Sequence, residues 1–158
     1  MAARLEYGKV APEGLEKMRA LEHYLNTASG LEANLLDMVR LRASLMNGCE
    51  YCIALHTAEL KKQSEPEERI AGLSDWRGAG AESGGAYTQR ERAALAWTEA
   101  ITDIQDGHAP DAVYDEVRAH FSDVETVNLT LAITTINAWN RLAISMGDYS
   151  GHAGAEAK

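Results

Sequence analysis

Apolar residues recur every three or four positions along most of the chain, which is the spacing that predicts amphipathic helices. No alternating strand pattern interrupts this spacing, so the predicted fold class is all-α, a bundle of about six or seven helices. Residues 1–12 are expected to form an extended arm that ends at Pro12. The predicted helices span about 13–27, 32–46, 49–63, 64–76, 88–105, 111–121 and 122–146.

Three segments have the form of a capping box, in which a Ser or Thr and a Glu three residues later satisfy each other's backbone amides. They begin at Ser64, Thr88 and Ser122. Asn47-Gly48 predicts the end of the second helix, because both residues tolerate the left-handed conformation. The last helix is apolar almost all round, which indicates a helix that is central in its own core or buried between subunits.

The chain of 158 residues is long enough to bury a substantial core, and we expect a single domain over residues 1–158. We also expect a flexible glycine-rich loop at 77–86 and a flexible tail at 147–158. A formal net charge of −9 disfavours nucleic acid and anionic membranes as partners. Because the sequence has neither an apolar run of spanning length nor a signal-peptide pattern, we expect a cytoplasmic protein.

Both cysteines of the chain lie in a CxxC motif, Cys49 to Cys52, and His56 follows one helical turn later. The predicted start of the third helix places both cysteines in its first turn, where the amide groups and the dipole favour a thiolate. The spacing also places all three side chains on one face. In a reducing compartment such a pair is more often catalytic or metal-binding than structural. The motif therefore predicts a redox site.

The position of His56 favours Cys52 as the attacking thiolate, although the helix dipole alone favours Cys49. Attack on a peroxide would give a sulfenic acid on Cys52, with which Cys49 is placed to condense. The resulting disulfide would be reduced by an external dithiol. The residues predict a thiol-dependent hydroperoxidase that needs neither a cofactor nor a metal.

The same segment resembles a known family. An acidic residue, eleven intervening residues and CxxCxxxH, here Asp37-MVRLRASLMNG-Cys49-Glu-Tyr-Cys52-Ile-Ala-Leu-His56, is similar to the AhpD-like alkylhydroperoxidase branch of the carboxymuconolactone decarboxylase superfamily. The similarity covers about residues 31–146 and includes YTQRERAALAWTEA and VNLTLAITTINAWNRLAIS.

This resemblance implies an all-helical protomer that assembles into trimers or hexamers. It implies a peroxidase in which Cys52 becomes the sulfenic acid, Cys49 resolves it, and Asp37 and His56 form a proton relay. The family's relay residue is usually Glu, so the shorter Asp37 bonds to His56 directly, through water, or not at all. Tyr51 stands where the best-studied branch has His. A phenol is a weak proton shuttle at neutral pH, so Tyr51 is a hydrogen-bond donor or a packing residue and turnover is expected to be slow.

Other interpretations of these residues remain open. The cysteines could be two small buried residues of a helix. Cys49, Cys52, His56 and Asp37 could together ligate zinc, although structural zinc sites more often use two paired motifs. Asp37 could instead pair with Arg40 on a solvated face.

Three alternative functions accompany the peroxidase. One is a thiol–disulfide oxidoreductase or adaptor that never meets peroxide. Another is a non-enzymatic oligomeric scaffold or sensor whose disulfide reports the redox state. The third is a cofactor-free decarboxylase of a lactone acid, which the motif disfavours because that chemistry does not need a vicinal dithiol.

Overall fold

The structure, a computed structural model, describes residues 3–79 and 85–147. In these residues the chain forms α-helices and one short 3-10 helix, with no β-strand. The predicted all-α fold class is confirmed. The helices are α1 (Tyr7–Val10), α2 (Pro12–Ala28), α3 (Ala33–Asn47), α4 (Glu50–Lys62), α5 (Glu67–Gly72), the 3-10 helix Leu73–Asp75, α6 (Gln89–Thr102), α7 (Asp111–His120) and α8 (Asp123–Met146).

The first helix is the main addition to the predicted order. The arm predicted to be extended contains the single turn α1, so the helix that follows Cys49 is the fourth along the chain and not the third. α6 ends three residues earlier than predicted, and a turn follows it. The predicted flexible loop and tail extend into residues 80–84 and 148–158, which lie outside the described residues.

Two of the three predicted capping boxes are confirmed. The Thr88 hydroxyl accepts a hydrogen bond from the Glu91 amide, and the Glu91 carboxylate accepts one from the Thr88 amide at 2.7 Å. Ser122 and Glu125 form the same pair at the start of α8. Each box satisfies amide groups that would otherwise have no partner in the first helical turn.

The predicted capping box at Ser64 is wrong. Ser64 adopts φ 61°, its amide donates to the Lys61 carbonyl, and the Glu65 amide donates to the Leu60 carbonyl. This pair of bonds terminates α4 in a Schellman motif. Residue 65 precedes a proline, which disfavours helical backbone there, and α5 begins only after Pro66.

α3 is the central helix of the fold. It packs against α4, α6 and α8, and every residue from 35 to 41 is buried. α8 buries one face, and three apolar side chains near its two ends are exposed: Val124 by 66%, Val127 by 59% and Ile144 by 49%. The buried side of α8 contributes to three apolar clusters of the core, and its burial between subunits stays a prediction.

Apolar clusters on either side of α3 hold the helices together. One joins α3 to α6, α7 and α8 and includes Val39, Trp97, Phe121 and Ile133. Another joins α1, α2, α3 and α8 to the start of α4, and both cysteines belong to it. Burial of each large side chain contributes about 1.5–3 kcal/mol to folding. None of the described helices is long and apolar enough to cross a membrane.

Candidate active site

The turn between α3 and α4 fixes the position of the first cysteine. Gly48 adopts φ 68°, a left-handed conformation that would strain a residue with a side chain. Its amide donates to the Leu45 carbonyl, and the Cys49 amide donates to the Ser44 carbonyl at 3.1 Å. The Cys49 carbonyl accepts from the Ile53 amide at 2.9 Å. The backbone of Cys49 therefore closes α3 and opens α4.

The two cysteines form a disulfide across the start of α4. Cys49 is the N-cap and Cys52 lies in the first turn, with their Cα atoms 5.4 Å apart. This separation is ordinary for a disulfide. The exposed fractions are 1% for Cys49 and 0% for Cys52. The CxxC motif thus lies at a helix N-terminus as predicted, and both cysteines are buried within the apolar cluster.

His56 and Asp37 form a direct hydrogen bond beside this pair. His56 is on α4, four residues after Cys52, and its Nδ1 lies 3.0 Å from Oδ1 of Asp37 on α3. Both residues are buried. An ionised carboxylate only accepts hydrogen bonds, so Nδ1 carries the proton and Nε2 of a neutral imidazole has the free lone pair. The aspartate reaches the histidine without a bridging water.

Two further side chains hold Asp37. The Gln63 amide donates to Oδ2 at 2.6 Å, and Nη1 of Arg40 lies 3.6 Å from Oδ1. Burial by itself raises the pKa of Asp37. The hydrogen bond from His56, the charge that this imidazole carries when it is protonated, the Arg40 guanidinium and the Gln63 amide outweigh burial and hold this pKa below its ordinary value of 3.8. Asp37 is therefore a carboxylate at neutral pH.

The structure corrects one interpretation of Asp37 and adds a residue to its surroundings. Asp37 does pair with Arg40, but both side chains are buried, so their helix face is not solvated. Gln63 was not identified from the sequence, although it stands seven residues after His56 and therefore on the same face of α4. Tyr51 is partly buried and packs against the cluster that contains the sulfur atoms. Its role as a hydrogen-bond donor stays a prediction.

A buried amide network ties the cysteine-bearing turn to α8. The Asn47 amide group donates to Oδ1 of Asn137 and to Oδ1 of Asn140, each at 2.9 Å. Asn140 in turn donates to Oγ of Ser44 at 3.1 Å. Because Asn47 and Ser44 belong to the last turn of α3, these bonds hold the backbone from which Cys49 extends.

The four residues considered as zinc ligands are engaged with one another in pairs. Cys49 is joined to Cys52, and His56 is hydrogen-bonded to Asp37. Over residues 3–79 and 85–147, no group of three or more His, Cys, Asp or Glu side chains is arranged to hold a metal ion. The site instead combines a buried disulfide with a histidine whose imidazole is hydrogen-bonded to the Asp37 carboxylate.

Comparisons with known proteins identify the family to which this chain is related. The model of the carboxymuconolactone decarboxylase family matches residues 12–100. The uncharacterized protein YdfG of Bacillus subtilis is 37% identical over 148 residues, which cover 94% of this chain and 97% of YdfG.

Two solved structures have the same fold. One is a protein of unknown function from Agrobacterium tumefaciens for which an AhpD antioxidant defence role has been suggested. It is 39% identical, with a TM-score of 0.86 over 94% of this chain and 97% of its own. An uncharacterized peroxidase-related protein from Silicibacter sp. TM1040 is 21% identical, with a TM-score of 0.75 over 87% of this chain and 70% of its own, which shows the fold alone. The chain belongs to the carboxymuconolactone decarboxylase family and, within it, to the AhpD-like branch.

Proposed function

We propose that this protein is a thiol-dependent hydroperoxidase that cycles between the Cys49/Cys52 dithiol and its disulfide. The observation that carries the proposal is the disulfide at the start of α4 beside a buried His56–Asp37 hydrogen bond. A redox-active pair and a base for its thiol proton therefore lie on adjacent turns. Membership of the AhpD-like branch supports an antioxidant role for this pair.

The first step is oxidation of Cys52. In the reduced protein Nε2 of His56 takes the thiol proton, and the charge of Asp37 stabilises the imidazolium that forms. The thiolate attacks one oxygen of the hydroperoxide, forms an S–O bond and breaks the O–O bond. The alcohol leaves with the proton that His56 returns. Cys52 is then a sulfenic acid, two electrons more oxidised than the thiol.

The second step restores the disulfide. The Cys49 sulfur attacks the sulfenic sulfur, an S–S bond forms, and the hydroxyl leaves as water after it accepts the Cys49 proton. The short separation between the two residues supports this condensation. An external dithiol then exchanges with the disulfide and returns both cysteines to thiols. Neither step requires a cofactor.

The protomer is also proposed to work as a homo-oligomer, a trimer or hexamer. The exposed apolar side chains of α8, Val124, Val127 and Ile144, support this proposal because a second protomer would remove them from water. The assembly state is measured by sedimentation at micromolar concentration. A purely monomeric species would contradict it and leave the chemistry of the dithiol untouched.

The peroxidase is tested by counting free thiols while one equivalent of an organic hydroperoxide is added anaerobically to the reduced protein. Wild type is expected to lose two thiols faster than free cysteine does. Cys49→Ser is expected to give a sulfenic acid that a dimedone-type reagent traps, and Cys52→Ser to be inert. Mutants with exchanged behaviour would reverse the two roles. Wild-type thiols no more reactive than free cysteine would refute the peroxidase and favour thiol–disulfide exchange.

A further inference from the structure

A buried cation lies between two carboxylates next to the candidate relay. Nη2 of Arg40 contacts Oε2 of Glu22 at 2.6 Å and Oδ1 of Asn26 at 2.8 Å. Its Nη1 lies 3.6 Å from Oδ1 of Asp37, the oxygen that His56 also contacts. The side chains of Arg40, Asp37 and Glu22 are exposed by 5%, 10% and 18%. Glu22 therefore connects α2 to the relay through one guanidinium.

The formal charges of this group decide which form of the imidazole it favours. Glu22 and Asp37 are negative and Arg40 is positive, so the group carries one net negative charge while His56 is neutral. It becomes neutral when His56 gains a proton. Without the charge of Glu22, Arg40 would balance Asp37, and an imidazolium would be a surplus positive charge. A poorly solvated site disfavours such an imbalance more strongly than water does.

The proposed function requires this protonation, because the thiol proton of Cys52 has to move to His56. We propose that Glu22 is a positioning residue of the relay, which neutralises Arg40 so that the charge of Asp37 stabilises the imidazolium of His56. The proton passes from Sγ of Cys52 to Nε2 of His56, and no electrons are exchanged in this step. The inference rests on the proposed function for its purpose, but its charge balance is measurable without peroxide.

Other charged groups stand on the same helices and remain unchanged in the test. Arg19 lies one turn before Glu22 on α2, and on α4 Glu59 pairs with the exposed Lys62. Comparison of variants that differ only at residue 22 or 26 cancels these contributions. The neutral Gln63 keeps its hydrogen bond to Asp37 in each variant.

The test uses Glu22→Gln in the full-length reduced protein. Glutamine keeps the size of the side chain and an oxygen acceptor for Arg40, and removes only the charge. We expect the thiolate absorbance in the ultraviolet to decrease at neutral pH. We also expect the rate of peroxide-dependent thiol loss to fall about tenfold, the order of effect of one buried charge. Glu16→Gln, which removes the same charge from an exposed position of α2, is the matched control and is expected to behave as wild type.

A charge-rescue variant separates electrostatics from structure. Asn26 contacts the same Nη2 of Arg40, so Asn26→Asp in the Glu22→Gln background returns a carboxylate to the guanidinium. We expect it to restore most of the thiolate absorbance and of the rate. If Glu22→Gln matches wild type, or if it is impaired and Asn26→Asp restores nothing, the proposal is overturned. If Glu22→Gln alone does not fold, the test is the thiolate absorbance of the double variant with Asn26→Asp. A thiolate absorbance far below that of wild type in the folded double variant would reject the proposed role of the Glu22 charge.

The two proposals fail in different ways. A wild-type protein whose thiolate absorbance depends on Glu22, but whose thiols ignore peroxide, would retain the charge role and lose the peroxidase. Rapid peroxide-dependent thiol loss that is unaffected by Glu22→Gln would retain the peroxidase and lose the charge role.

Discussion

Replacement of Asp37 by Asn tests the relay with the smallest change of shape. The aspartate accepts from Nδ1 of His56 at 3.0 Å through one oxygen and from Gln63 at 2.6 Å through the other. An asparagine can keep its oxygen toward His56 if its amide group faces a rotated Gln63 side chain, whose oxygen then accepts. The substitution therefore removes the negative charge and preserves the hydrogen-bonded frame.

The expected loss follows from the bond that changes. A hydrogen bond to a charged group contributes about 1.5–3 kcal/mol, against about 0.5–1.5 kcal/mol for a neutral one. The imidazolium of His56 loses this difference as well as part of its attraction to a charge at contact distance in a buried site. A total of about 1.5–3 kcal/mol corresponds to a rate about 10- to 100-fold lower. We therefore expect Asp37→Asn to slow thiol oxidation by that factor.

The assay is the pseudo-first-order rate of thiol loss from the reduced protein in excess hydroperoxide. Asp115→Asn is the matched control, because it removes the same charge from an exposed position of α7. Circular dichroism confirms that each variant keeps its helices. An Asp37→Asn rate within about twofold of wild type would refute the argument that Asp37 supports proton transfer from Cys52.

Three further predictions concern access to the site and stability. Tyr7→Ala removes a side chain from the cluster around the disulfide, and we expect dithiothreitol to reduce that disulfide about tenfold faster than in wild type. Val10→Ala, on the exposed side of α1, is the control and is expected to leave the reduction rate unchanged. Equal rates in both variants would contradict a covering role for Tyr7. Ser122→Ala breaks a capping box and is expected to lower the free energy of unfolding in urea by about 1 kcal/mol; no change would contradict the role of the cap. Burial raises the pKa of Glu99, but hydrogen bonds from Trp76 and neighbouring guanidinium groups lower it below 4.5 overall. Glu99→Gln should therefore lower the free energy of unfolding by about 2 kcal/mol at neutral pH. The difference between the two proteins should shrink as pH falls through the pKa of Glu99 in the folded protein, because the wild type loses this contribution there. A difference in free energy that is independent of pH would contradict the lowered pKa.

Local sequence signals predicted the part of the site that depends on local structure. The Asn47-Gly48 stop and the CxxC motif are contiguous, so the end of α3 and the start of α4 follow from short-range rules alone. The boxes at Thr88 and Ser122 were found for the same reason. Ser64 matched the pattern equally well, but its amide was recruited by the preceding helix, a competition that one pattern taken alone does not reveal.

Contacts between distant residues could not be predicted in this way. Arg40 and Glu22 are eighteen residues apart and meet only because α2 and α3 share an apolar cluster with α8. The spacing of Asp37 and Arg40 indicated that they pair. Their burial, which strengthens the interaction between the two charges, depends on neighbouring helices and could not be read from that spacing. The cluster that contains the disulfide likewise includes Tyr7, whose segment carries too little apolar pattern to indicate where it docks.

Enclosure of both sulfur atoms constrains how the proposed cycle proceeds. Thiol–disulfide exchange requires the attacking thiolate to reach one sulfur and form a mixed disulfide, but both cysteines are buried. The peroxide likewise has to reach Cys52 before a sulfenic acid can form, so both halves of the proposed cycle require an arrangement more open than this one. The arm before α1 is suited to such opening, because it leads into Tyr7 of the cluster that contains the disulfide. Its described hydrogen bonds to α8, from the Arg4 and Leu5 amides and the Arg4 guanidinium, all end on the carbonyls of Met146 and Ser145. The proposed oxidation and reduction therefore share one requirement, that the buried cysteine pair becomes accessible.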